Sequence, residues 1–444
     1  MNNHPSVRSI GILWAQYGPY HFARVAALKE QAGSSNVHAL ELASQTSTYE
    51  WKRSATEDLI PLCPGAVADR LSFWQVFRSG RRKFAELKLQ VCILPSYSPK
   101  QSLAALLAAK SLGIRTVMMN ESHAGTARAA GMAALVKRQL VGLFDAALVG
   151  GHPQRRYFTA LGMSRRKIFT GYDAVNNDYF AREAEEIRGR KSEVRSRYGL
   201  PEHYFLSLGR FVAKKNLATL IRAYRKVLDF NQDCQTHLVM VGSGEEEPQL
   251  RGLCHELRIP IYDKSGAGIE NRKSKIENEL PGVHFYGFRQ IEENPVFYAL
   301  ADAFILPSLW EEWGLVVNEA MASGLPVVVS EAAGCAEDLL EPWEGTENYP
   351  ETTGTRAQRR LNGFVFDPSS VEKLSQVLRI LEAEPDLRRA MGAASRRIVE
   401  KFSCENFAKN ALLAAQVAMG AEPITSDNLS SSKPSEPWAD KLIT

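Results

Sequence analysis

Short apolar runs alternate with longer segments of helical periodicity along almost the whole chain. The apolar runs predict strands at 9–15, 37–42, 91–94, 115–119, 146–149 and 167–170, and again at 204–208, 237–241, 283–286, 303–306, 326–330 and 364–366. Helical spacing is clearest at 217–228 and is also present at 21–31, 71–87, 101–112 and 127–144. This alternation indicates parallel sheets covered by helices on both faces. Two such sheets suit a chain of 444 residues better than one.

A polar stretch at 171–201, rich in Gly, Asn, Asp and charged residues, is typical of a linker between two domains. The predicted divisions are a domain at 1–180, a second domain at 181–404, a helix at 405–418 and a disordered tail at 419–444. Two further polar segments, 262–278 and 343–360, are predicted to form surface insertions. The chain is therefore expected to have two α/β domains and one late helix.

The composition indicates a globular protein with ample material for a core, because 45% of residues are hydrophobic and 23% are charged. The chain has no apolar run of about 18 residues and no signal-peptide pattern at its start, so neither a transmembrane helix nor secretion is expected. Its six cysteines are scattered without zinc-ligand spacing and favour reduced thiols. These features predict a cytoplasmic protein.

The net charge of +4 conceals an asymmetry between the two halves of the chain. Residues 1–180 carry 22 Lys and Arg against 11 Asp and Glu, a net charge of +11, which leaves −7 for the remainder. A basic half suggests an anionic partner such as a nucleic acid, a membrane surface or a phosphorylated substrate. A solvated basic face without a partner remains the alternative.

The most informative segment is PSLWEEWGLVVNEAMASGLPVVVS at 307–330. It follows a predicted strand and begins a predicted helix near Gly314, where unpaired amides and the helix dipole favour a diphosphate. Glu319 lies further along that helix and can accept hydrogen bonds from a ribose diol, while Glu311 precedes the helix and can face a sugar. Two carboxylates eight positions apart carry no signal alone, but around a glycine-initiated helix they indicate a nucleotide-sugar site.

A second segment, SLGRFVAKKNLATLIRAY at 207–224, places Arg210 and Lys215 just beyond a predicted strand end. Two cations on a strand-to-helix loop at the carboxyl edge of a sheet are suited to a departing diphosphate. Two surface cations without a ligand are the alternative.

With these motifs the chain resembles the retaining GT-B glycosyltransferases of bacterial polysaccharide and glycolipid assembly. The resemblance covers about residues 10–418 and is strongest at 204–332, in GRFVAKKN, VGSGEEEPQL, VHFYGF and the Glu-x7-Glu block. It implies an α/β GT-B fold of two doubly wound Rossmann-like domains facing a central cleft. The first domain would bind the acceptor and the second the nucleotide-sugar, and the helix at 405–418 would cross back to the first domain.

The resemblance also implies roles for single residues. In the family, the residues matching Arg210 and Lys215 hold the donor diphosphate, the carboxylate matching Glu319 binds the ribose, and that matching Glu311 contacts the transferred sugar. The amides matching Gly314, Leu315 and Val316 are implied to touch the phosphate or sugar of the donor. The backbone near Phe288 and Arg289 is implied to flank its base.

In the first half the resemblance is less specific. QYGPYHFARVAAL at 16–28 is similar to the family's glycine loop and first helix, which makes Gly18 and His21 candidate acceptor-binding residues. MNESHAGT at 119–126 makes His123 a candidate catalytic residue near the donor sugar. The alternatives are that Gly18 only forms a turn and that His123 is a loop histidine whose hydrogen bonds are made within the protein.

The chain departs from the usual family pattern where Glu312 and Trp313 replace the more common Gly and Phe. A bulkier pair there would narrow the sugar pocket, so the identity of the donor is not carried over from the family.

The predicted function is transfer of a hexose from a nucleotide-sugar to a glycan or lipid-linked saccharide, with retention of configuration and without a metal or other cofactor. The chain has no Asp-x-Asp motif and no GxGxxG after its first strand, which disfavours metal-dependent transferases and dehydrogenases. The basic half suggests either peripheral contact with anionic membrane at the inner face of the cytoplasmic membrane or recognition of a diphosphate-linked acceptor. An epimerase on the same scaffold and a non-catalytic nucleotide- or glycan-binding protein stay open, and no nucleic-acid partner is expected.

Overall fold

A computed structural model describes residues 7–45, 59–127, 132–265, 280–343 and 358–422. The predicted tail and most of the two predicted surface insertions lie outside these ranges. The described residues form two compact units, one within Met1–Val175 and Phe402–Thr444 and the other within Asn176–Lys401. No helix in the described ranges is both long enough and apolar enough to cross a membrane.

Strands and helices alternate through both units. The strands are β1 (Ile10–Trp14), β2 (Val37–Glu41), β3 (Leu59–Pro61), β4 (Val91–Pro95), β5 (Arg115–Asn120), β6 (Ala146–Val149), β7 (Ile168–Thr170), β8 (His203–Leu208), β9 (Thr236–Val241), β10 (Ile261–Asp263), β11 (Val283–Phe285), β12 (Ala303–Leu306), β13 (Val327–Ser330), β14 (Gln358–Arg360) and β15 (Gly363–Phe366). The α-helices are α1 (Pro19–Ala32), α2 (Phe73–Glu86), α3 (Lys100–Ser111), α4 (Met132–Val141), α5 (His152–Ala160), α6 (Asn177–Gly189), α7 (Lys191–Tyr198), α8 (Leu217–Phe230), α9 (Glu247–Glu256), α10 (Asn294–Leu300), α11 (Leu315–Ala322), α12 (Ala336–Leu339), α13 (Val371–Ala383), α14 (Pro385–Val399) and α15 (Cys404–Ala418).

The first unit contains a parallel sheet of order β3-β2-β1-β4-β5-β6-β7. Both faces of this sheet are covered. In β4, Val91 and Ile93 belong to one buried cluster, whereas Cys92 and Leu94 belong to another. Since successive strand residues face opposite sides of a sheet, a strand buried on both sides must be apolar throughout. This explains why the apolar runs of the sequence predicted these strands well.

Helix α15 belongs to the first unit although it comes last in the chain. It packs against α1 through a face of small residues, among them Ala411 and Ala415. The side chain of Asn410 donates a hydrogen bond of 2.9 Å to the carbonyl of Thr170, which fixes the helix beside the end of β7.

The second unit contains an eight-stranded sheet of order β10-β11-β9-β8-β12-β13-β15-β14, parallel except for β14. Strand order reverses direction between β8 and β12, which are neighbours in the sheet but far apart in the chain. In doubly wound sheets a ligand-binding crevice forms at the carboxyl ends of the strands at such a switch point. The expected fold of two Rossmann-like α/β sheets is confirmed.

The prediction that 171–201 is a linker is wrong over α6 and α7, which are helices of the second unit. Asn176 begins α6 because its side-chain oxygen accepts a hydrogen bond of 3.0 Å from the amide of Tyr179. Phe180 and Ala184, four residues apart, are buried on one face of this helix, and the remaining surface is polar. The observed division therefore falls after Val175 rather than after residue 180, and the second unit ends at 401 rather than at 404.

Two buried histidines in the second sheet predict that this protein loses stability in acid. Nε2 of His284 and Nδ1 of His237 lie 2.9 Å apart, and the ring of Tyr262 stacks on His284 at 4.5 Å. Burial lowers the pKa of His237 to about 4, and burial together with the neighbouring His237 lowers the pKa of His284 to about 2. Unfolded histidines, with pKa values of about 6.5, bind protons before the native ones do. The stability that the two neutral histidines contribute is therefore fully present above about pH 6.5. It is lost as the pH falls toward 4.

We expect each imidazole to contribute a slope of at most about 1.4 kcal/mol per pH unit to the free energy of unfolding in this range. Urea unfolding between pH 4.5 and 7 measures it. His284→Gln should flatten the slope, whereas His203→Gln, at a half-exposed histidine whose pKa is raised by its hydrogen bond to Asp302, should not. An unchanged slope in the His284 variant would contradict the proposal that this buried imidazole causes the loss of stability in acid.

Candidate active site

The candidate site lies at the switch point of the second sheet. The loop after β8 begins with Gly209 and Arg210, and the loop after β12 begins with Pro307 and Ser308. Arg210, Lys215 and Pro307 line the same small recess between these strand ends. The two segments that the sequence singled out are therefore adjacent in the structure.

Asn216 ties the two loops together. It has a left-handed φ of 55° at the start of α8, and its side-chain nitrogen donates to the carbonyls of Pro307 (3.0 Å) and Pro368 (2.9 Å). The preceding turn, Ala213–Lys215, directs two consecutive lysines to this edge. Arg210 is exposed, while the adjacent Phe211 is buried and anchors the loop in the core.

Glu311 is the centre of an ion cluster that joins the loops. Its carboxylate is 7% exposed and binds the ammonium groups of Lys214, at 2.8 Å, and of Lys215. Lys214 also binds Glu312 at 3.1 Å and lies 4.5 Å from the centre of the Trp310 ring. Two cations and two carboxylates thus form a compact, mutually neutralised group.

The cluster fixes the ionisation of its members. Burial alone raises the pKa of Glu311, but the ammonium groups of Lys215 and Lys214 outweigh burial and lower it below the ordinary value. Burial likewise lowers the pKa of Lys214, and the Glu311 and Glu312 carboxylates outweigh it and raise that pKa. Glu311 is therefore a carboxylate at neutral pH, able to accept hydrogen bonds or to face a developing positive charge.

Helix α11 begins at Gly314, as the sequence predicted. Gly314 has a left-handed φ of 106°, and a Cβ there would lie 2.9 Å from the side chain of Leu306. The amide of Val317 donates to the carbonyl of Gly314 at 2.9 Å. The amides of Leu315 and Val316 donate to no group in the part of the chain that the structure describes. These two donors and the positive end of the helix dipole suit a phosphate oxygen.

Glu319 lies one turn into α11 and is fully buried. Side chains in an α-helix tilt toward its N-terminus, so the Glu319 carboxylate is directed toward the turn that carries the free amides. This arrangement fits a ligand whose phosphate meets the helix start and whose hydroxyl groups meet Glu319.

Trp313 does not narrow a pocket, contrary to the expectation from the sequence. Its ring is 1% exposed, and its Nε1 donates a hydrogen bond of 2.9 Å to the side chain of Asn318. The residue is therefore part of the core beneath α11. Its neighbour Glu312 is only half-buried, and its carboxylate pairs with the ammonium group of Lys214.

The two residues proposed to flank a base follow β11. Phe288 is 41% exposed. Arg289 is held by the carbonyl of Lys264 at 3.2 Å and by Glu293 at 3.7 Å. The Arg289 guanidinium is therefore used within the protein, and the predicted contact of these two positions with a base remains a prediction.

In the first unit, Gly18 and His21 form the cap of α1 after β1. Nδ1 of His21 accepts a hydrogen bond of 2.9 Å from the amide of Gly18, and its ring stacks on Trp14 at 4.5 Å. Burial, assisted by the charge of Arg24, lowers the pKa of His21 to about 3. His21 is therefore neutral near pH 7 and holds the glycine loop in place with one of its two nitrogens.

His123 follows β5 in a tight turn of the first unit. It is 8% exposed, its Nδ1 accepts from the amide of Gly125 at 3.2 Å, and its own amide donates to the hydroxyl of Thr126 at 3.2 Å. The ring is thus oriented by its own loop. Its predicted role beside the donor sugar remains a prediction.

A comparison with protein families matches part of the second unit. Residues 202–381 match the family model of glycosyl transferases group 1. The candidate site, from Arg210 to Glu319, lies entirely within these matched residues.

Curated relatives of this chain are glycosyltransferases. An uncharacterized glycosyltransferase of Methanocaldococcus jannaschii is 28% identical over 221 residues, which are 49% of this chain and 46% of the relative. A GDP-mannose-dependent alpha-(1-6)-phosphatidylinositol monomannoside mannosyltransferase of Mycobacterium tuberculosis is 29% identical over 220 residues, 47% of this chain and 46% of the relative. The chain therefore spans about half the length of these relatives.

Similarity in structure extends over both units. Anabaena HepE, solved in complex with UDP, has a TM-score of 0.60 at 15% identity and covers 91% of this chain and 98% of its own. At this identity the similarity shows the fold alone, and that fold is GT-B.

Three contributors to the candidate site were missed from the sequence: Lys214, Trp310 and Asn216. The only signal for Lys214 was its position beside Lys215 in a strand-to-helix loop. Its pairing with Glu312 joins segments about 98 residues apart, which no local pattern reveals.

Proposed function

We propose that this protein is a retaining glycosyltransferase that moves a hexose from a nucleotide-sugar to a glycan or lipid-linked saccharide, without a bound metal. The observation that carries the proposal is the convergence of Arg210, Lys215 and the free amides of α11 at the switch point of the second sheet. Cations and oriented amides are the groups that stabilise charge on a departing diphosphate.

In the proposed reaction the bond between the sugar carbon and the diphosphate oxygen breaks, and the acceptor oxygen bonds to that carbon on the same face. The acceptor proton passes to an oxygen of the departing phosphate. Arg210, Lys215 and the Leu315 and Val316 amides stabilise the diphosphate, and Glu319 holds the ribose. The Glu311 carboxylate faces the positive charge that develops on the sugar and also keeps Lys215 in position.

The relatives support a nucleotide-sugar donor but leave its base open. The mycobacterial relative is named for GDP-mannose and a phosphatidylinositol monomannoside, whereas HepE was solved with UDP. Both curated relatives are named as transferases, so an epimerase or a non-catalytic binding protein is not favoured.

Binding of UDP-, GDP-, dTDP- and ADP-sugars, followed by thermal shift, tests the proposal. One donor class should stabilise the protein and be hydrolysed slowly. Glu319→Ala should weaken that donor at least about tenfold, because each lost hydrogen bond between a carboxylate and a hydroxyl group is worth about 1.5–3 kcal/mol.

Glu382→Ala is the matched control, since this half-buried glutamate of the second unit accepts a hydrogen bond from Asn231 at the end of α8 and contacts none of the proposed donor-binding residues. A wild-type protein that responds to none of the four donors would exclude the nucleotide-sugar proposal. Equal binding by Glu319→Ala and wild type would remove Glu319 from the site.

We also propose that the first unit contacts anionic membrane where its acceptor resides. Helix α4 exposes Met132 (86%), Leu135 (59%) and Val136 (57%), and Lys137 and Arg138 follow directly. Large apolar side chains beside cations suit an interface of anionic headgroups and acyl chains. The mycobacterial relative is named for a phosphatidylinositol-based acceptor, which supports contact with a lipid surface.

Liposome sedimentation measures this contact. We expect the protein to pellet with vesicles containing phosphatidylglycerol and much less with phosphatidylcholine alone. Replacing Leu135 and Val136 with serine should reduce pelleting, whereas Phe230→Ser, at an exposed phenylalanine of the second unit, should not. Equal pelleting with both lipids would contradict the proposal.

A further inference from the structure

The second unit has a groove of about 700 Å³ at the edge of the sheet opposite the candidate active site. Its lining includes His203, Asp302 and Pro326, which lie at the amino ends of β8, β12 and β13. The candidate active site lies at the carboxyl ends of these same strands. The groove and the proposed donor site therefore lie at opposite ends of these strands.

Four arginines line this groove: Arg188 of α6, and Arg388, Arg389 and Arg396 of α14. Two carboxylates, Glu185 and Asp302, are the only acidic residues that line it in the part of the chain that the structure describes. The lining therefore carries an excess of positive charge.

Two of the arginines are accounted for by the fold. Arg388 binds Asp302 at 3.2 Å and also donates to the carbonyls of Leu381 and Glu382. The second oxygen of Asp302 accepts from His203 and from the amide of Tyr204, both at 3.1 Å. Arg389 is exposed and pairs with Asp386, which does not line the groove.

The other two arginines have little compensating charge. Arg188 donates to the carbonyl of Ser323 at 2.5 Å and forms no ion pair with a described residue. Arg396 packs against Gly324 and has only a loose contact of 3.5 Å with Glu185, whose side chain is 72% exposed. Burial and the charge of Arg396 together lower the pKa of Arg188. Two guanidinium groups thus meet at the Ser323–Gly324 turn with one exposed carboxylate between them.

We propose that Arg188 and Arg396 bind a phosphate group, either free phosphate or the phosphoryl group of a phosphate monoester. A planar guanidinium offers paired N–H donors that match two oxygens of one phosphate. A dianion between the two arginines would supply the charge that the protein lacks there and remove their mutual repulsion. This site is independent of the proposed glycosyl transfer, because Arg188 and Arg396 are not part of the candidate active site.

The test uses the full chain carrying Arg210→Ala and Lys215→Ala, which removes two cations of the proposed donor site and so weakens phosphate binding there. Isothermal titration at low ionic strength with inorganic phosphate, and separately with glycerol 3-phosphate, measures the affinity. Arg396→Gln and Arg188→Gln should each weaken binding by at least about tenfold. Tighter binding of glycerol 3-phosphate than of phosphate would identify a monoester as the ligand, and the reverse order would identify free phosphate.

Arg389→Gln is the matched control, since it removes an arginine of the same groove that is exposed and already paired. It should leave the affinity unchanged. If Arg188→Gln fails to fold, Arg396→Gln decides, because that side chain is 42% exposed and holds no backbone carbonyl. No phosphate binding at 10 mM, or equal weakening in the Arg389 and Arg396 variants, would overturn the proposal.

Discussion

Lys215→Met is expected to lower kcat/KM for sugar transfer by about 10²–10³-fold, which corresponds to about 2.7–4 kcal/mol of lost transition-state stabilisation. Lys215 lies at the carboxyl edge of β8 beside Arg210, and its ammonium is held by the buried Glu311. Methionine keeps most of the apolar stem but removes the charge that would meet the departing diphosphate. Steady-state kinetics with the donor found by the binding screen measure the effect.

Lys214→Met is the matched control, because it removes a neighbouring charge from the same cluster. The Lys214 ammonium is already shared between Glu311 and Glu312 and lies against Trp310. We expect a loss of less than about tenfold, from poorer positioning of Glu311 rather than from lost contact with the donor. Both variants should keep thermal midpoints close to that of the wild type, since each leaves one lysine on Glu311. An equal loss of activity in the two variants would show that the cluster only supports the loop.

The ion cluster around Glu311 carries almost no net charge in the absence of donor. Two cations and two carboxylates leave the cluster nearly neutral, so the site must supply net positive charge from Arg210 and the α11 amides. Arg210 is exposed and is therefore available without breaking an ion pair. When a diphosphate binds, Lys215 must be shared between it and Glu311, which couples the position of the sugar to that of the phosphate.

Much of the fold was predictable because parallel strands covered on both faces are apolar throughout. Runs such as Val91–Pro95 and Ala303–Leu306 carry that signal directly. The strands that were missed, Leu59–Pro61, Ile261–Asp263 and Gln358–Arg360, are three residues long and lie at sheet edges. Edge strands are covered less, so their sequences need not be apolar.

Helices α6 and α7 were mistaken for a linker for a related reason. A helix that packs through only a narrow face keeps a polar composition, and in α7 the only buried residue is Val194. Periodicity then has too few apolar positions to be detected. In contrast α8, with Leu220, Ile221, Tyr224 and Val227 buried, was evident from its spacing.

The candidate site was predictable where chemistry follows local order and not where it depends on tertiary packing. Gly314 and Glu319 belong to one strand–loop–helix segment, so their relation could be inferred from spacing. The burial of Trp313 depends on its contact with Asn318 and on the core beneath α11, which spacing does not show. A departure from the family pattern therefore did not imply a change in the pocket.

Gly242→Ala is expected to have the largest effect on stability, a loss of about 2–5 kcal/mol in the free energy of unfolding. Gly242 follows β9 with a left-handed φ of 138°, and a Cβ there would lie 1.9 Å from the carbonyl oxygen of Gly209. The amide of Gly209 also donates to Val241 at 2.9 Å, so the two loops cannot separate without losing a backbone hydrogen bond. Because Gly209 immediately precedes Arg210, the displacement should also weaken donor binding. Urea unfolding and the donor titration measure the two effects.

Gly252→Ala, in the same unit, is expected to raise stability where Gly242→Ala lowers it. Gly252 lies inside α9, and a Cβ added there meets no atom within 4 Å. Alanine in a helix interior should therefore raise stability by about 0.5–1 kcal/mol and leave donor affinity unchanged. If Gly242→Ala instead unfolded at the wild-type urea concentration, the close approach of the β8 and β9 loops would not exist in solution. The glycines of VGSG would then have to be explained by contact with the donor itself.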